Sequence, residues 1–247
     1  MKTNINSAKN LLNNFKTNKS MKKQLTFLCL IFSFTLNAQM RGPLNGSGKI
    51  VSLSLDYRNF DKIEMVGMNG NVVVEVGKPF SLVANVDDNL AKLLKTEVKN
   101  GKLFVEFSGN RYNKLYIEDT HILIKISMPE LTYFEHEGNG NVEINGISGR
   151  YFSFKKSGNA EAQLSGKVED LDIKKVDNGN VNASNLLTKT AKVSSYGNGN
   201  VIINASESFF GKGWGNCSII NVGKGKKSFG SGIIGNGKVR EEYSINN

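Results

Sequence analysis

Three closely related pentapeptides recur in the second half of the chain: Gly-Asn-Gly-Asn-Val at 138–142 and 197–201, and Asp-Asn-Gly-Asn-Val at 177–181. Further Gly-Asn pairs extend this pattern. The pairs are spaced 18, 21, 20, 16 and 20 residues apart and stand at 140–141, 158–159, 179–180, 199–200, 215–216 and 235–236. A fixed period near 20 with short strands in each unit is typical of a β-solenoid, so the sequence predicts a right-handed solenoid of about 20-residue coils.

In such a fold each strand pairs with the equivalent strand of the next coil, and equivalent residues stack. Val142, Val181 and Val201 would then form an inward apolar stack. Glycine and asparagine suit the corners because both tolerate positive φ. Side-chain amides can also hydrogen-bond along a stack. We therefore expect either an internal ladder or a set of exposed turn residues at six asparagines: Asn141, Asn159, Asn180, Asn200, Asn216 and Asn236.

The first half shows a period of two residues instead. Apolar side chains alternate along 72–76, 103–107 and 122–126, with turn signals such as Asn69-Gly70 between them. This pattern predicts half-buried β-strands. One stretch, 89–96, has leucines at helical spacing and predicts a single turn or short helix on a loop.

The charge of the chain is uneven. The 247 residues carry 32 basic and 22 acidic side chains, but residues 1–38 hold six lysines and no acid. The remainder has 26 basic and 22 acidic groups, a net charge of +4. A charge this small does not favour nucleic acid as a partner.

The N-terminal region has the layout of a secretory signal peptide. Met21-Lys22-Lys23 is a short positive segment, Leu25 to Leu36 is apolar, and Ala38 offers a small residue for cleavage. We expect 21–38 to be the signal peptide and 1–20 to be an untranslated or extended leader. Cleavage after Ala38 leaves Cys217 as the single cysteine and leaves no membrane-spanning segment, so stability must come from packing and hydrogen bonds rather than from a disulfide.

The order of motifs along the chain resembles the GIN domain family, known as a putative auto-transporter adhesin head and formerly as a domain of unknown function from Bacteroidetes. The resemblance covers nearly all of 50–240. Besides the repeated pentapeptides it is carried by five segments: Phe60-Asp-Lys-Ile63, Gly70-Asn-Val-Val-Val74, Val86-Asp-Asp-Asn-Leu90, Thr96–Leu103 and Ile124–Leu131.

This resemblance implies an exported all-β domain of stacked coils over 50–240, with irregular strands in 50–135 and regular coils in 136–240. Residues 39–49 are expected to be a flexible linker and 241–247 a tail. The family implies no catalytic residues and no cofactor.

The titratable clusters give weak signals for chemistry. Glu135 and Glu137 would face one side of a strand and His136 the other, so they could not share one metal ion without a bulge. Asp87-Asp88-Asn89 and Glu118-Asp119 offer oxygen ligands for calcium, although turn or cap roles explain them equally. Acids in successive coils leave open a lyase or glycosidase: Glu161, Glu169, Asp170, Asp172 and Asp177.

Aromatic residues gather near the end of the repeat. Trp214, Phe209 and Phe229 could stack on sugar rings or cover a partner, or they could plug the open end of the solenoid.

These observations favour an exported, non-enzymatic adhesion or binding module of the cell envelope. The expected partners are a surface polysaccharide, a protein or a second copy of the chain. The alternatives are a carbohydrate-active enzyme and a purely structural envelope protein.

Overall fold

The computed structural model describes residues 43–107 and 117–242. The predicted leader (1–20), the predicted signal peptide (21–38) and residues 243–247 of the predicted tail lie outside these ranges. About 70% of the described residues are β-strand. Their one helical element is a three-residue 3-10 turn at Ala91–Leu93, so no described helix could cross a membrane. That turn falls within the stretch predicted to be a short helix, but a strand begins at Leu94.

Sixteen strands are present in the described ranges. In chain order they are β1 (Leu44–Asn45), β2 (Ile50–Leu55), β3 (Lys62–Met68), β4 (Asn71–Val76), β5 (Ser81–Asp87), β6 (Leu94–Lys99), β7 (Lys102–Phe107), β8 (Ile117–Glu118), β9 (Leu123–Met128), β10 (Tyr133–Gly138), β11 (Val142–Ser157), β12 (Ala162–Lys175), β13 (Val181–Asn221), β14 (Lys226–Lys227), β15 (Gly232–Ile234) and β16 (Val239–Glu241).

The long strands pair in parallel with a nearly constant offset. Val142 of β11 pairs with Ala162 of β12, and Ala162 pairs with Val181 of β13. The Gly-Asn spacing therefore reports which residues are hydrogen-bonded neighbours. Antiparallel pairs occur only among the earlier strands of the described sheet: β2 with β5, β5 with β9, and β6 with β7.

The predicted solenoid is nevertheless wrong. All strands except β1 and β8 join one mixed 14-stranded sheet, which curls into a half-barrel rather than forming a solenoid of repeated coils. The prediction of an all-β fold is correct. The error has a physical reason, because a 20-residue spacing identifies parallel partners but contains no information about how the paired strands curve.

Residues 43–49 of the predicted linker lie within the described ranges. Leu44 and Asn45 form β1 and pair with β8, and the Ser47 hydroxyl donates to the Asp88 carboxylate at 2.7 Å. Its remaining residues, 39–42, lie outside the described ranges. At the other end, β16 reaches Glu241, one residue beyond the predicted domain boundary.

The core is made of inward-facing apolar side chains stacked across the sheet. Val142, Val181 and Val201 are all buried, as the sequence predicts, and Ala162 lies between the first two. A second stack contains the parallel rings of Phe134 and Phe154, whose centroids are 5.9 Å apart. Burial of these rows supplies the main favourable free energy of folding.

The Gly-Asn corners pack against one another more tightly than any side chain would allow. Gly199 has a φ of +95°, and a Cβ added there would clash with the carbonyl oxygen of Gly179. Gly179, with a φ of +92°, stands in the same relation to Ala160. Glycine is therefore required at these corners both for its positive φ and for the close approach of the next corner.

Two buried lysines hold the corner carbonyls from inside. The Lys156 ammonium donates to the carbonyls of Gly158 and Asn178, and the Lys175 ammonium donates to those of Asp177 (3.0 Å) and Asn198 (2.6 Å). Burial, together with the neighbouring charge of Lys175, lowers the pKa of Lys156 to about 8. Burial likewise lowers the pKa of Lys175. These buried lysines therefore give the corner carbonyls hydrogen-bond partners from inside the sheet.

The same inward row contains His136, which pairs with Met65 on one side and with Lys156 on the other. Its side chain is fully buried, and neither ring nitrogen has a hydrogen-bond partner in the described structure. Burial, and secondarily the charge of Lys156, lowers the pKa of His136 from 6.5 to about 4. The imidazole is thus neutral in the folded protein at neutral pH.

We expect Gly199→Ala to lower the free energy of unfolding by about 2 to 4 kcal/mol, because it combines an unfavourable φ with a backbone clash. Gly232→Ala is the matched control, since a Cβ at Gly232 meets nothing within 4 Å. Urea unfolding of both variants measures the difference. Equal stability of the two would contradict the close packing of the corners.

We expect the protein to lose stability as the pH falls from 6.5 to about 4. The unfolded state takes up a proton on His136 in this window and the folded state does not, which corresponds to roughly 3 kcal/mol. His136→Leu should flatten this part of the pH profile. His121→Asn, at a mostly exposed histidine, should leave it in place. Unfolding midpoints between pH 4 and 7.5 measure both effects, and an unchanged slope in His136→Leu would refute the assignment.

Candidate functional site

A shallow groove of about 750 Å³ crosses the strands that follow the Gly-Asn corners. It runs from β4 and β9, over the beginnings of β11 and β12, to the first part of β13. Its walls carry outward-facing amides, two carboxylates and a few aliphatic side chains, principally Asn71, Val73, Leu123, Asn141, Glu143, Glu161, Gln163, Asn180, Asn182, Asn200 and Ile202.

One row of the groove is a continuous hydrogen-bonded ladder. The Asn71 side-chain oxygen accepts from the backbone N–H of Asn141 (3.2 Å), and the Asn141 oxygen accepts from that of Glu161 (3.3 Å). Glu161 in turn accepts from Asn180 (3.1 Å), and Asn180 accepts from Asn200 (2.7 Å). We call this row the groove ladder. Its rungs are one strand apart, about 4.8 Å.

The groove ladder keeps hydrogen-bonding capacity for a ligand. Each asparagine oxygen from Asn71 to Asn180 is used within the ladder. Within the described ranges, the side-chain NH2 groups of Asn71, Asn141 and Asn200 have no protein partner. These exposed amides therefore present unused donors along the groove.

A second row lies beside the groove ladder. Val73 pairs with Glu143, Glu143 with Gln163, and Gln163 with Asn182. The Asn145 amide donates to both Glu143 (2.8 Å) and Glu75 (3.1 Å). The hydrogen bond to Glu75 is the largest cause of the lowered pKa of that carboxyl. Among the residues that line the groove, Glu143 and Glu161 are acidic and none is basic, so the groove carries negative charge.

The six predicted asparagines are all exposed and belong to different ladders. Asn141, Asn180 and Asn200 are members of the groove ladder. Asn159 belongs to a separate outer ladder, in which side chains bond directly to one another, and Asn236 donates to Asn216 in the same way. The outer ladder consists of Asn69, Asn139, Asn159, Asn178 and Asn198. It contributes no residue to the lining of the groove.

Sequence reasoning missed half of the eight polar side chains that line the groove. Asn71, Glu143, Gln163 and Asn182 were not predicted, although all alternate with buried neighbours in their strands. The alternation of buried and exposed positions beyond each Gly-Asn pair is the signal that could have found them.

The three predicted aromatic residues separate into two groups. Phe209 is buried in the core. Trp214 and Phe229 are 68% and 104% exposed, so neither plugs the end of the sheet. None of the three lines the groove.

The ligand-like clusters have structural partners. His136 is buried, whereas Glu135 and Glu137 face outward, as their spacing predicts. Asp87 is fully buried and accepts from the backbone N–H groups of Gly48 and His121, both at 2.8 Å. Its burial raises the pKa, but these hydrogen bonds outweigh that effect and lower it. Within 43–107 and 117–242, no group of three or more His, Cys, Asp or Glu side chains is arranged to hold a metal ion.

Four of the predicted acids of 161–177 form hydrogen bonds or ion pairs in different parts of the sheet. Glu161 is part of the groove ladder, Glu169 forms an ion pair with Lys189 (3.1 Å), and Asp170 accepts from the Thr190 hydroxyl (2.7 Å). Asp177 accepts from the backbone N–H of Gly158 at 3.1 Å. Of these acids only Glu161 lines the groove, where Glu143 is the other carboxylate.

Comparison with solved structures supports the fold. A putative adhesin from Bacteroides fragilis is 22% identical and superposes with a TM-score of 0.59, over 81% of this chain and 100% of its own. A protein from Parabacteroides distasonis, named a putative lipid binding protein, is 17% identical with a TM-score of 0.54, over 81% of this chain and 99% of its own. No curated protein matches the chain.

The family comparison agrees with the order of sequence motifs. The family model described as "Putative auto-transporter adhesin, head GIN domain" matches residues 59–225, which is more than half of the chain and contains the whole groove. The chain therefore belongs to the GIN domain family of putative auto-transporter adhesin heads.

Proposed function

We propose that this protein is an exported, non-enzymatic binding module of the adhesin type, and that its groove holds an uncharged polysaccharide. The observation that carries this proposal is the groove ladder, a row of four exposed asparagines and Glu161 repeated at the strand spacing. Membership of an adhesin family and the signal-like N-terminal sequence support an adhesive role at the cell envelope.

The chemistry of the groove suits sugar hydroxyl groups. Hydroxyls both donate and accept, and the groove offers amide NH2 donors beside carboxylate and amide acceptors. The rungs repeat at a distance close to the length that one sugar residue adds to a chain, so successive sugars could meet equivalent partners. Several weak contacts then add along one polymer.

The charge of the groove selects against acidic polymers. Glu143 and Glu161 would repel a polyanion. A neutral polysaccharide would not be repelled, and its hydroxyl groups could donate hydrogen bonds to both carboxylates. The chain is therefore expected to prefer neutral over acidic polysaccharides.

Binding is tested with the exported protein, its N terminus established by mass spectrometry, against immobilised neutral, acidic and amino polysaccharides. We expect retention on a neutral polymer. Gln163→Ala and Asn200→Ala should each weaken it about fivefold, because each removes about one hydrogen bond to the ligand. Neither side chain bonds elsewhere in the described structure, so the fold is preserved.

Asn198→Ala is the matched control, because it truncates an exposed corner asparagine of the outer ladder. It should leave polysaccharide binding unchanged. Equal loss in Asn198→Ala and Asn200→Ala would show that the groove is not the site. Retention of no polymer would leave a structural envelope protein as the better description.

The alternative function is a carbohydrate-active enzyme that uses the two groove carboxylates. It is favoured by one observation: Glu143 in β11 and Glu161 directly before β12 both line the same groove. Soluble products should therefore be checked for chain cleavage. Cleavage that is lost in Glu161→Gln and kept in Asn198→Ala would overturn the non-enzymatic proposal.

A further inference from the structure

The last strands of the sheet expose an apolar surface outside the groove. Trp214 and Ile234 are 68% and 75% exposed and are directly paired between β13 and β15, so their side chains lie side by side. Phe229, in the turn before β15, is fully exposed. These three side chains are called the terminal apolar patch.

The local alternation explains why this patch faces outward. Phe209 and Gly211 face the core, which places Phe210, Lys212 and Trp214 on the opposite side of the strand. The Phe210 ring is half-buried and lies 3.8 Å from the position of a Cβ on Gly230, next to Phe229. Trp214 and Ile234 are therefore fixed by strand pairing, whereas Phe229 lies in the turn that precedes β15.

Outside the predicted leader and signal peptide, the net positive charge falls in the segment that contains this patch. Residues 208–242 hold six basic and two acidic side chains, a net charge of +4. Residues 39–207 hold twenty of each and are neutral. All six basic side chains are exposed: Lys212, Lys224, Lys226, Lys227, Lys238 and Arg240. Two of them form ion pairs with the two acids, Lys226 with Glu241 and Arg240 with Glu242.

We infer that the 208–242 end of the sheet docks on an anionic lipid bilayer, with the terminal apolar patch inserted into the headgroup region. Tryptophan and phenylalanine favour this interface, and exposed lysines are attracted to anionic headgroups. A polysaccharide would not explain the exposed Ile234, since an aliphatic side chain offers no stacking face. A bilayer satisfies both the apolar and the basic components.

This inference is independent of the groove, whose lining residues lie at 71–202. The groove and the terminal apolar patch share no residue. A membrane contact through the patch would therefore not use the residues that line the groove. Groove variants and patch variants should therefore act separately.

Trp214 provides a direct probe because it is the only tryptophan in the chain. The exported protein is mixed with vesicles of phosphatidylcholine alone or with added phosphatidylglycerol. We expect co-sedimentation and a blue shift of tryptophan emission only with the anionic vesicles, both weakened by added salt. Brominated lipid should quench the emission if the ring enters the bilayer.

Two sets of variants separate the components. Ile234→Ser with Phe229→Ser should reduce the vesicle-bound fraction at least about tenfold, because it removes inserted apolar surface. Lys212→Gln and Lys238→Gln should each reduce it about fivefold. Leu187→Ser, which changes another exposed apolar side chain outside 208–242, should have no effect, and neither should the groove variant Asn200→Ala.

Several outcomes would overturn the inference. These are absence of binding to anionic vesicles, equal binding to both vesicle types, and insensitivity to the patch variants. A blue shift produced by a soluble acidic polysaccharide without lipid would assign the surface to a glycan. A blue shift that depends on protein concentration alone would assign it to a second copy of the chain.

Discussion

The structure depends on the direct stacking of one Gly-Asn corner on the next. At Gly179 and Gly199 a backbone carbonyl of the preceding corner occupies the space that a Cβ would need, so glycine is required there, whereas Ala160 holds the equivalent place one corner earlier. From these corners the strands β11, β12 and β13 pair in parallel with an offset of 19 or 20 residues, and the register shifts once within each pair. The outward asparagines, the inward lysines and the groove all take their positions from that register.

The interior of the corners is polar although the surrounding core is apolar. Lys156 and Lys175 donate to corner carbonyls. Later in the chain, the buried Asn221 side chain donates to the carbonyls of Ala205, Gly223 and Gly225. Such groups would destabilise a core if they were unpaired. Lys156, Lys175 and Asn221 each donate to backbone carbonyls, whereas the His136 ring and the Ser195 hydroxyl are buried without a hydrogen-bond partner in the described structure.

Much of the architecture could be predicted from the sequence, because strand alternation and glycine spacing are local signals. The all-β class, the buried valines at 142, 181 and 201, and the opposite orientations of His136 and its flanking glutamates all follow from periodicity. The curvature of the sheet does not, since hydrogen-bonded neighbours separated by 20 residues are compatible with more than one global shape. The solenoid prediction failed at that step.

The candidate site shows a similar division. Asn141, Asn180 and Asn200 were predicted as corner residues, but the sequence pattern did not separate their ladder from that of Asn159 and Asn178. Several corners carry two asparagines two residues apart, such as Asn198 and Asn200, and the sequence does not show which of the two lines the groove. Lys156 and Lys175 were missed because a charged residue in an alternating strand is expected to face solvent. Only the three-dimensional register shows that carbonyls surround them.

The groove ladder also has a direction. From Asn71 to Asn180, every side-chain oxygen accepts from the backbone of the strand that follows, and none from the strand that precedes. The two ends of the groove are consequently chemically distinct. A linear polymer whose own ends differ would therefore have one preferred orientation, so that the same end of every captured chain would point away from the protein.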